Sequence, residues 1–264
     1  MTSSLPLLFG VGVVSGVTTV LFGFGGGFVT VPAVYLATRG GDMHAAVATS
    51  TAVMIVNSGL ATLDSARRHR ILAQYLWPMA LFIAAGAALG AYAALSAPER
   101  LLHWLFVAYL AVTIVDCLAR RGFLSRQAGD SAPHELTRAE STLGGLLVGF
   151  VASFLGVGGS VMTVPFLRRK GADMAGATAT ANPLSLPVAL CGSVVYASMG
   201  PAASSPGLVG HVNFAAGTAL LAGSLPIITI VRRALTRRAI PDAVHAAMYV
   251  ALLGAVLLLM AVIR

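Results

Sequence analysis

The chain has 264 residues, 57% hydrophobic and 10% charged, with a mean hydropathy of +0.86 and a formal net charge of +8. Soluble domains carry about 25% charged residues, so this balance excludes an ordinary soluble fold; with several apolar runs it predicts an all-α polytopic membrane protein. The basic residues fall in short clusters between apolar runs, which is how topology is encoded, so the expected surroundings are a lipid bilayer and no nucleic acid.

Leu5 to Phe22 is the first apolar run. Met1 to Pro6 holds no Lys or Arg, so this run does not read as a cleaved signal peptide. It ends in Phe22-Gly23-Phe24-Gly25-Gly26-Gly27-Phe28-Val29-Thr30-Val31-Pro32, which overlaps a shorter run from Phe28 to Thr38. Ala45 to Leu63, Ala73 to Ala94 and Leu101 to Ala119 complete a first repeat, residues 1–119. Residues 120–140 are polar and mixed in charge, with Gly129, Asp130, Ser131 and Pro133, and read as a linker. Residues 141–264 repeat the plan: Ser141 to Leu155, a short Val161 to Leu167, Ala175 to Ala197, Val212 to Val231 and His245 to Ile263. Their own Gly stretch, Leu155-Gly156-Val157-Gly158-Gly159-Ser160-Val161-Met162-Thr163-Val164-Pro165, lies 133 positions after the first. Asp42-Met43 and Ala48-Thr49-Ser50-Thr51 recur 131 positions on, as Asp173-Met174 and Ala179-Thr180-Ala181-Asn182. Two copies in register with their flanks mark an internal duplication.

Arg67, Arg68 and Arg70, the linker arginines 120, 121, 126 and 138, Arg168 to Lys170, and Arg232, Arg233, Arg237 and Arg238 make up 14 of the 17 Lys and Arg residues. All four segments are therefore expected in the cytoplasm. Ser141 to Leu167 lies between two of them and has 27 residues, whereas two full crossings need about 40 at roughly 20 each. It is expected to enter and return on one side as a re-entrant or broken helical hairpin, with its Gly stretch at the tip. Leu5 to Thr38 should do the same from the outside. Each half is then a hairpin followed by three crossings, an odd number, so the halves form inverted-topology repeats with both termini periplasmic.

Two tips meeting near the midplane would put Gly25, Gly26, Gly27, Gly158, Gly159 and Ser160 around one cavity. Glycines bring bare amides close to a ligand, and the helix arms that follow present unpaired N–H groups and the positive end of a dipole. That is an anion site without a buried cation. The same glycines would equally serve close helix packing. Thr49, Ser50, Thr180 and Asn182, just after each hairpin, could orient an oxyanion or could bond within their own helices. Pro183 and Pro187 predict a bend or unwinding over Asn182–Pro187.

None of the nine carboxylates falls mid-run, which disfavours a cation transporter or a proton pump. Asp116 is the deepest and is expected to pair with Arg120. His103, His211 and His245 read as interfacial, and Trp77, Trp104 and Tyr75 as an aromatic belt. The Arg clusters could also draw anions to a cytoplasmic mouth. No nucleophile with a base and no metal-ligand spacing appears, so neither an enzyme nor a metal or cofactor is expected. Cys117 and Cys191 lie in apolar segments and suggest no disulfide framework.

On Gly23-Phe24-Gly25-Gly26-Gly27 with Pro32 and Ala48-Thr49-Ser50, and Gly156-Val157-Gly158-Gly159-Ser160 with Pro165 and Ala179-Thr180, the chain resembles the sulfite exporter TauE/SafE family. The resemblance covers nearly the whole chain. It implies a bacterial inner-membrane transporter for small sulfur-containing anions such as sulfite, sulfoacetate or organosulfonates, with the Gly stretches and the following Thr/Ser positions lining the pathway. Ser160, where a third Gly is common, and Ala181-Asn182 depart from the pattern. An exporter by alternating access is the reading; an anion channel of the same fold and a non-transporting membrane ligand sensor are the alternatives.

Overall fold

The computed structural model describes residues 5–37, 42–68, 70–119, 123, 134–199, 208–235 and 240–262. The first half contributes α1 (Leu5–Phe22), α2 (Gly27–Ala37), α3 (Met43–Arg67), α4 (Met79–Ser96) and α5 (Glu99–Ala119). The second contributes α6 (Gly145–Leu155), α7 (Ser160–Arg169), α8 (Met174–Ser198), α9 (Phe214–Leu235) and α10 (Asp242–Val262). A π-helical turn, Glu140–Gly144, leads into α6, and the short strands β1 (Leu208–Val209) and β2 (Val212–Asn213) form a ribbon before α9. Seven of the helices (α1, α3, α4, α5, α8, α9 and α10) are long and apolar enough to cross a membrane. The all-α polytopic class is therefore what the structure has, and α1, at 18 residues, is itself long enough to span.

The duplicated Asp-Met pairs are helix starts. Asp42 caps α3 by accepting the Ala45 N–H at 2.7 Å, and Asp173 caps α8 by accepting the Gly176 N–H at 3.0 Å. Two expectations need correction. The run from Ala73 is not one helix: Ala73–Tyr75 form a single 3-10 turn, and α4 begins only at Met79. Pro78 has no N–H and disfavours a helical Trp77, so the regular helix starts after it. Conversely, α8 is not unwound but stays helical through Pro183 and Pro187. It is packed on α3, α4 and α7, which hold it in place across the two prolines.

The packing follows the duplication. α3 lies against α8 and α5 against α10; α1 packs chiefly on α9 and α6 on α4, helices of the other half, while α2 and α7 pack chiefly on α3 and α8 of their own. Small residues make those seams: a side chain at Gly12 would meet the Leu220 carbonyl and one at Gly149 the Ile83 carbonyl. Two threonines tie the halves by equivalent bonds. Thr49 Oγ1 accepts the Asn213 N–H at 2.9 Å, and Thr180 Oγ1 accepts the Leu72 N–H at 3.0 Å. The start of α8 thus stands beside the end of α3.

Charge separates along the bundle. Arg67, Arg68, Arg70, Arg168 to Lys170, Arg232 and Arg233 gather at the end where α3 and α9 finish and α8 and α10 begin. Three consecutive cations at the end of α7 reach three different elements: Arg168 pairs with Asp242 at 2.7 Å, Arg169 with Asp116, and Lys170 with Glu140 at 2.7 Å. Asp116 is thus matched across helices, and its expected partner Arg120 lies outside the described residues, as does most of the 120–140 linker.

Trp77 and Trp104 are exposed, as belt residues should be, but Tyr75 is fully buried and donates to the His134 carbonyl at 2.8 Å. His103 and His245 are also buried, the first against Tyr35 and the second against Phe22 and the Leu21 carbonyl, so they are core contacts and not interfacial groups.

Candidate functional site

The two Gly turns meet in the middle of the bundle. A β-carbon on Gly27 would stand 2.7 Å from the Gly156 carbonyl oxygen, and one on Gly158 would stand 3.1 Å from the Phe24 carbonyl oxygen and 2.7 Å from Met54 Sδ. Met54 is at the midpoint of α3 and touches both turns. Gly26 and Gly158 hold φ of 88° and 78°, a region side chains resist, so these positions need glycine. Gly159 has an ordinary helical φ of −65° and caps α7, which then opens on Ser160.

The first intrahelical bonds of α2 run from the Val29 and Thr30 N–H groups to the Gly26 carbonyl, and those of α7 from the Met162 and Thr163 N–H groups to the Gly159 carbonyl. The amides of Gly27, Phe28, Ser160 and Val161 precede them, so two helix N-termini offer their spare donors beside the same contact. Beside it, the hydroxyls of Ser58, which abuts Gly25, and of Ser160, which opens α7, are buried with no hydrogen-bond partner among the described residues, as are those of Ser50 and Thr163 and the Oδ1 of Asn182 elsewhere on α3, α7 and α8. Buried polar groups are normally paired, so the first two are ones that a polar ligand at the turns could satisfy.

The two turns are not equivalent. Gly26 abuts Ser15 and the Asn57 side chain, and Asn57 links Ser15 (3.4 Å) to Ser224, whose Oγ donates at 2.9 Å. The matching position of the second turn, Gly159, faces Val148, Val188 and the Leu184 carbonyl at 3.5 to 3.6 Å. Val148 stands 133 positions after Ser15 and Val188 stands 131 after Asn57, so the two halves differ in side-chain polarity beside matching glycines.

A cavity of 220 Å³ opens at the arginine-rich end, lined by Arg68, Arg70, Arg232, Asp64, Thr178 and Asn182 among others. It ends close to the first turn, since Gly23 packs against the Thr178 carbonyl. Asp64 pairs with Arg68 at 3.0 Å and lies 3.8 Å from Arg232, while Arg232 Nη2 has no partner among the described residues. Three guanidinium groups against one carboxylate make the mouth electropositive.

Of the residues expected to bind, Gly27 and Gly158 make the contact between the turns, Gly25 lies against Ser58 and Met54, Gly26 faces Ser15 and Asn57, Gly159 faces Val148 and Val188, and Ser160 and Ser50 are buried. Asn182 lines the inner cavity. The hydroxyls of Thr49 and Thr180 hold the loop amides described above. Ser15 and Ser224 were missed, although aligning the halves would have shown Ser15 as polar opposite Val148. At the other end of the bundle, Asp42, His44 and Glu99 converge although no spacing joins them. His211 lies beside them, its pKa lowered by burial and by His44, with Asp42 opposing.

A family model described as "Sulfite exporter TauE/SafE" matches residues 8–262. A curated protein of Haemophilus influenzae (strain ATCC 51907 / DSM 11121 / KW20 / Rd), described as a "Probable membrane transporter protein", is 31% identical over 170 residues. That match covers 62% of this chain and 62% of the relative. No solved structure matches.

Proposed function

The chain belongs to the sulfite exporter TauE/SafE family and is a multi-pass membrane transporter; on that premise we propose that it exports a small sulfur-containing anion, such as sulfite or an organosulfonate, across the bacterial inner membrane. The observation that carries this reading is the meeting of two Gly turns and two helix N-termini among buried, unpartnered hydroxyls. Unpaired N–H and O–H donors suit an oxyanion, and no carboxylate stands among them.

The anion enters from the electropositive cavity, which by the positive-inside pattern faces the cytoplasm. It then binds through the amides of Gly26, Gly27, Gly159 and Ser160, with Ser160, Ser50 and Asn182 orienting it and Thr49 and Thr180 fixing the loops behind. The two halves act as inverted repeats that rock about the site, with both termini outside. An inside-negative potential drives export by about 2.3 kcal/mol per charge per 100 mV, so no coupling ion is needed.

Proteoliposomes loaded with sulfite, sulfoacetate, thiosulfate or sulfate test this. The expected result is saturable efflux of a sulfur anion that speeds up with an inside-negative potential. Movement no faster than from protein-free liposomes for every anion refutes transport of this class, and flux that never saturates indicates a channel instead.

A further inference from the structure

We propose that Asp42, His44 and Glu99 form a binding site for a divalent transition-metal ion such as Zn²⁺ at the end of the bundle opposite the arginine cavity, with His211 packed beside it. One ligand atom from each of the first three lies within 4.8 Å of the others. They come from separate places: Asp42 and His44 begin α3, and Glu99 begins α5. His211, in the turn between β1 and β2, brings its ring to 5.6 Å, centroid to centroid, from that of His44.

The orientation of His44 carries the inference. Its Nε2 lies 3.1 Å from both the Ala94 and the Ala97 carbonyl oxygens at the end of α4. Carbonyls only accept, so Nε2 holds the proton and the lone pair of the neutral ring is on Nδ1. A ring nitrogen donating to backbone carbonyls while the other faces the ion is the usual support of a metal-bound histidine. Nδ1 points at Glu99 Oε1 from 3.7 Å, too far for a hydrogen bond. It is close to the spacing of about 3.3 Å between neighbouring ligands of a tetrahedral ion with bonds of about 2.0–2.1 Å. Asp42 spends Oδ1 on the α3 cap, which fixes its carboxylate and leaves Oδ2 for the ion. One imidazole and two carboxylates, with a water completing four-coordination, suit zinc and its first-row neighbours better than calcium or magnesium.

Asp42, His44 and Glu99 belong to the first half and His211 to the second. An ion on the first three fixes the start of α3 against the start of α5, with the His211 turn of the second half packed alongside. The site does not depend on the identity of the transported anion.

The test uses the full chain in detergent, titrated with ZnCl₂ in a calorimeter and with Co²⁺ followed by visible absorption. Expected are one saturable equivalent of metal, a four-coordinate cobalt spectrum, and a higher unfolding temperature with zinc. Asp42→Asn, His44→Gln and Glu99→Gln keep the helix cap or the donor to the carbonyls, and each should weaken binding at least tenfold. Absence of a saturable equivalent, an octahedral cobalt spectrum, or unchanged binding in all three variants would overturn the site.

Discussion

Ser160, at the second Gly turn, and Thr49, on α3 against Asn213, are both fully buried hydroxyls, yet removing them should have opposite consequences for stability. Ser160 Oγ has no partner among the described residues, whereas Thr49 Oγ1 accepts the Asn213 N–H. A buried hydroxyl without a partner costs about 1–3 kcal/mol of desolvation, so Ser160→Ala should hold the fold at its present stability or raise it. The same change removes a donor to a charged ligand, worth about 2 kcal/mol, which is roughly thirtyfold in KM. Thr49→Ala instead strands a backbone N–H and should destabilise by about 1–3 kcal/mol. The assay is paired: thermal unfolding of both proteins in detergent, and concentration-dependent sulfite efflux from proteoliposomes. If Ser160→Ala lowers the unfolding temperature as much as Thr49→Ala and leaves KM unchanged, Ser160 is a packing residue and the binding reading of the second turn fails.

Two more outcomes follow from ion pairs. Asp242 accepts from Arg168 and from the Met174 N–H, joining the ends of α7 and α10 to the start of α8, and the Arg168 side chain is only 2% exposed. Asp242→Ala should cost about 3–5 kcal/mol, read as a large fall in unfolding temperature, because it leaves a buried guanidinium without its carboxylate; an unchanged midpoint would refute this. Arg232→Gln leaves the Arg68–Asp64 pair in place, so it should spare stability while raising KM for the anion and flattening the dependence of flux on ionic strength. A wild-type salt profile in that variant would remove Arg232 from the entry route.

Much of the fold was readable because the bilayer imposes long apolar runs. Leu5 to Phe22 and Ala175 to Ala197 match α1 and α8 to within a residue at each end. The failures share one cause: a local rule was outvoted by contacts that sequence does not display. Pro183 and Pro187 should break a helix alone, but α8 is enclosed by three others. Tyr75 has the look of a belt residue, but it plugs the gap beside His134. Asp42 and His44 stand only two positions apart, which is no ligand set by itself; Glu99, 55 positions after His44, reaches them only when α3 and the α4–α5 turn come together.

The asymmetry of the two turns bears on how a duplicated fold becomes directional. With two identical halves, a central anion would see the same donors from each side, and any preference would come from the loops alone. Here Ser15, Asn57 and Ser224 make the first turn wettable, while Val148 and Val188 flank Gly159 in the second, whose polar side chain is Ser160. The arginine cavity opens toward the wettable turn, because Thr178 and Asn182 line its inner end and Gly23 packs on Thr178. An anion entering there would meet cations first, then the amide and hydroxyl donors of the first turn, and last the Gly159 and Ser160 donors of the second. Shedding water is costly for an ion unless fixed dipoles replace it, so the graded order lowers the barrier on the cavity side more than on the other. The backbone turns are shared by both halves, but the polar side chains that would receive the anion are not.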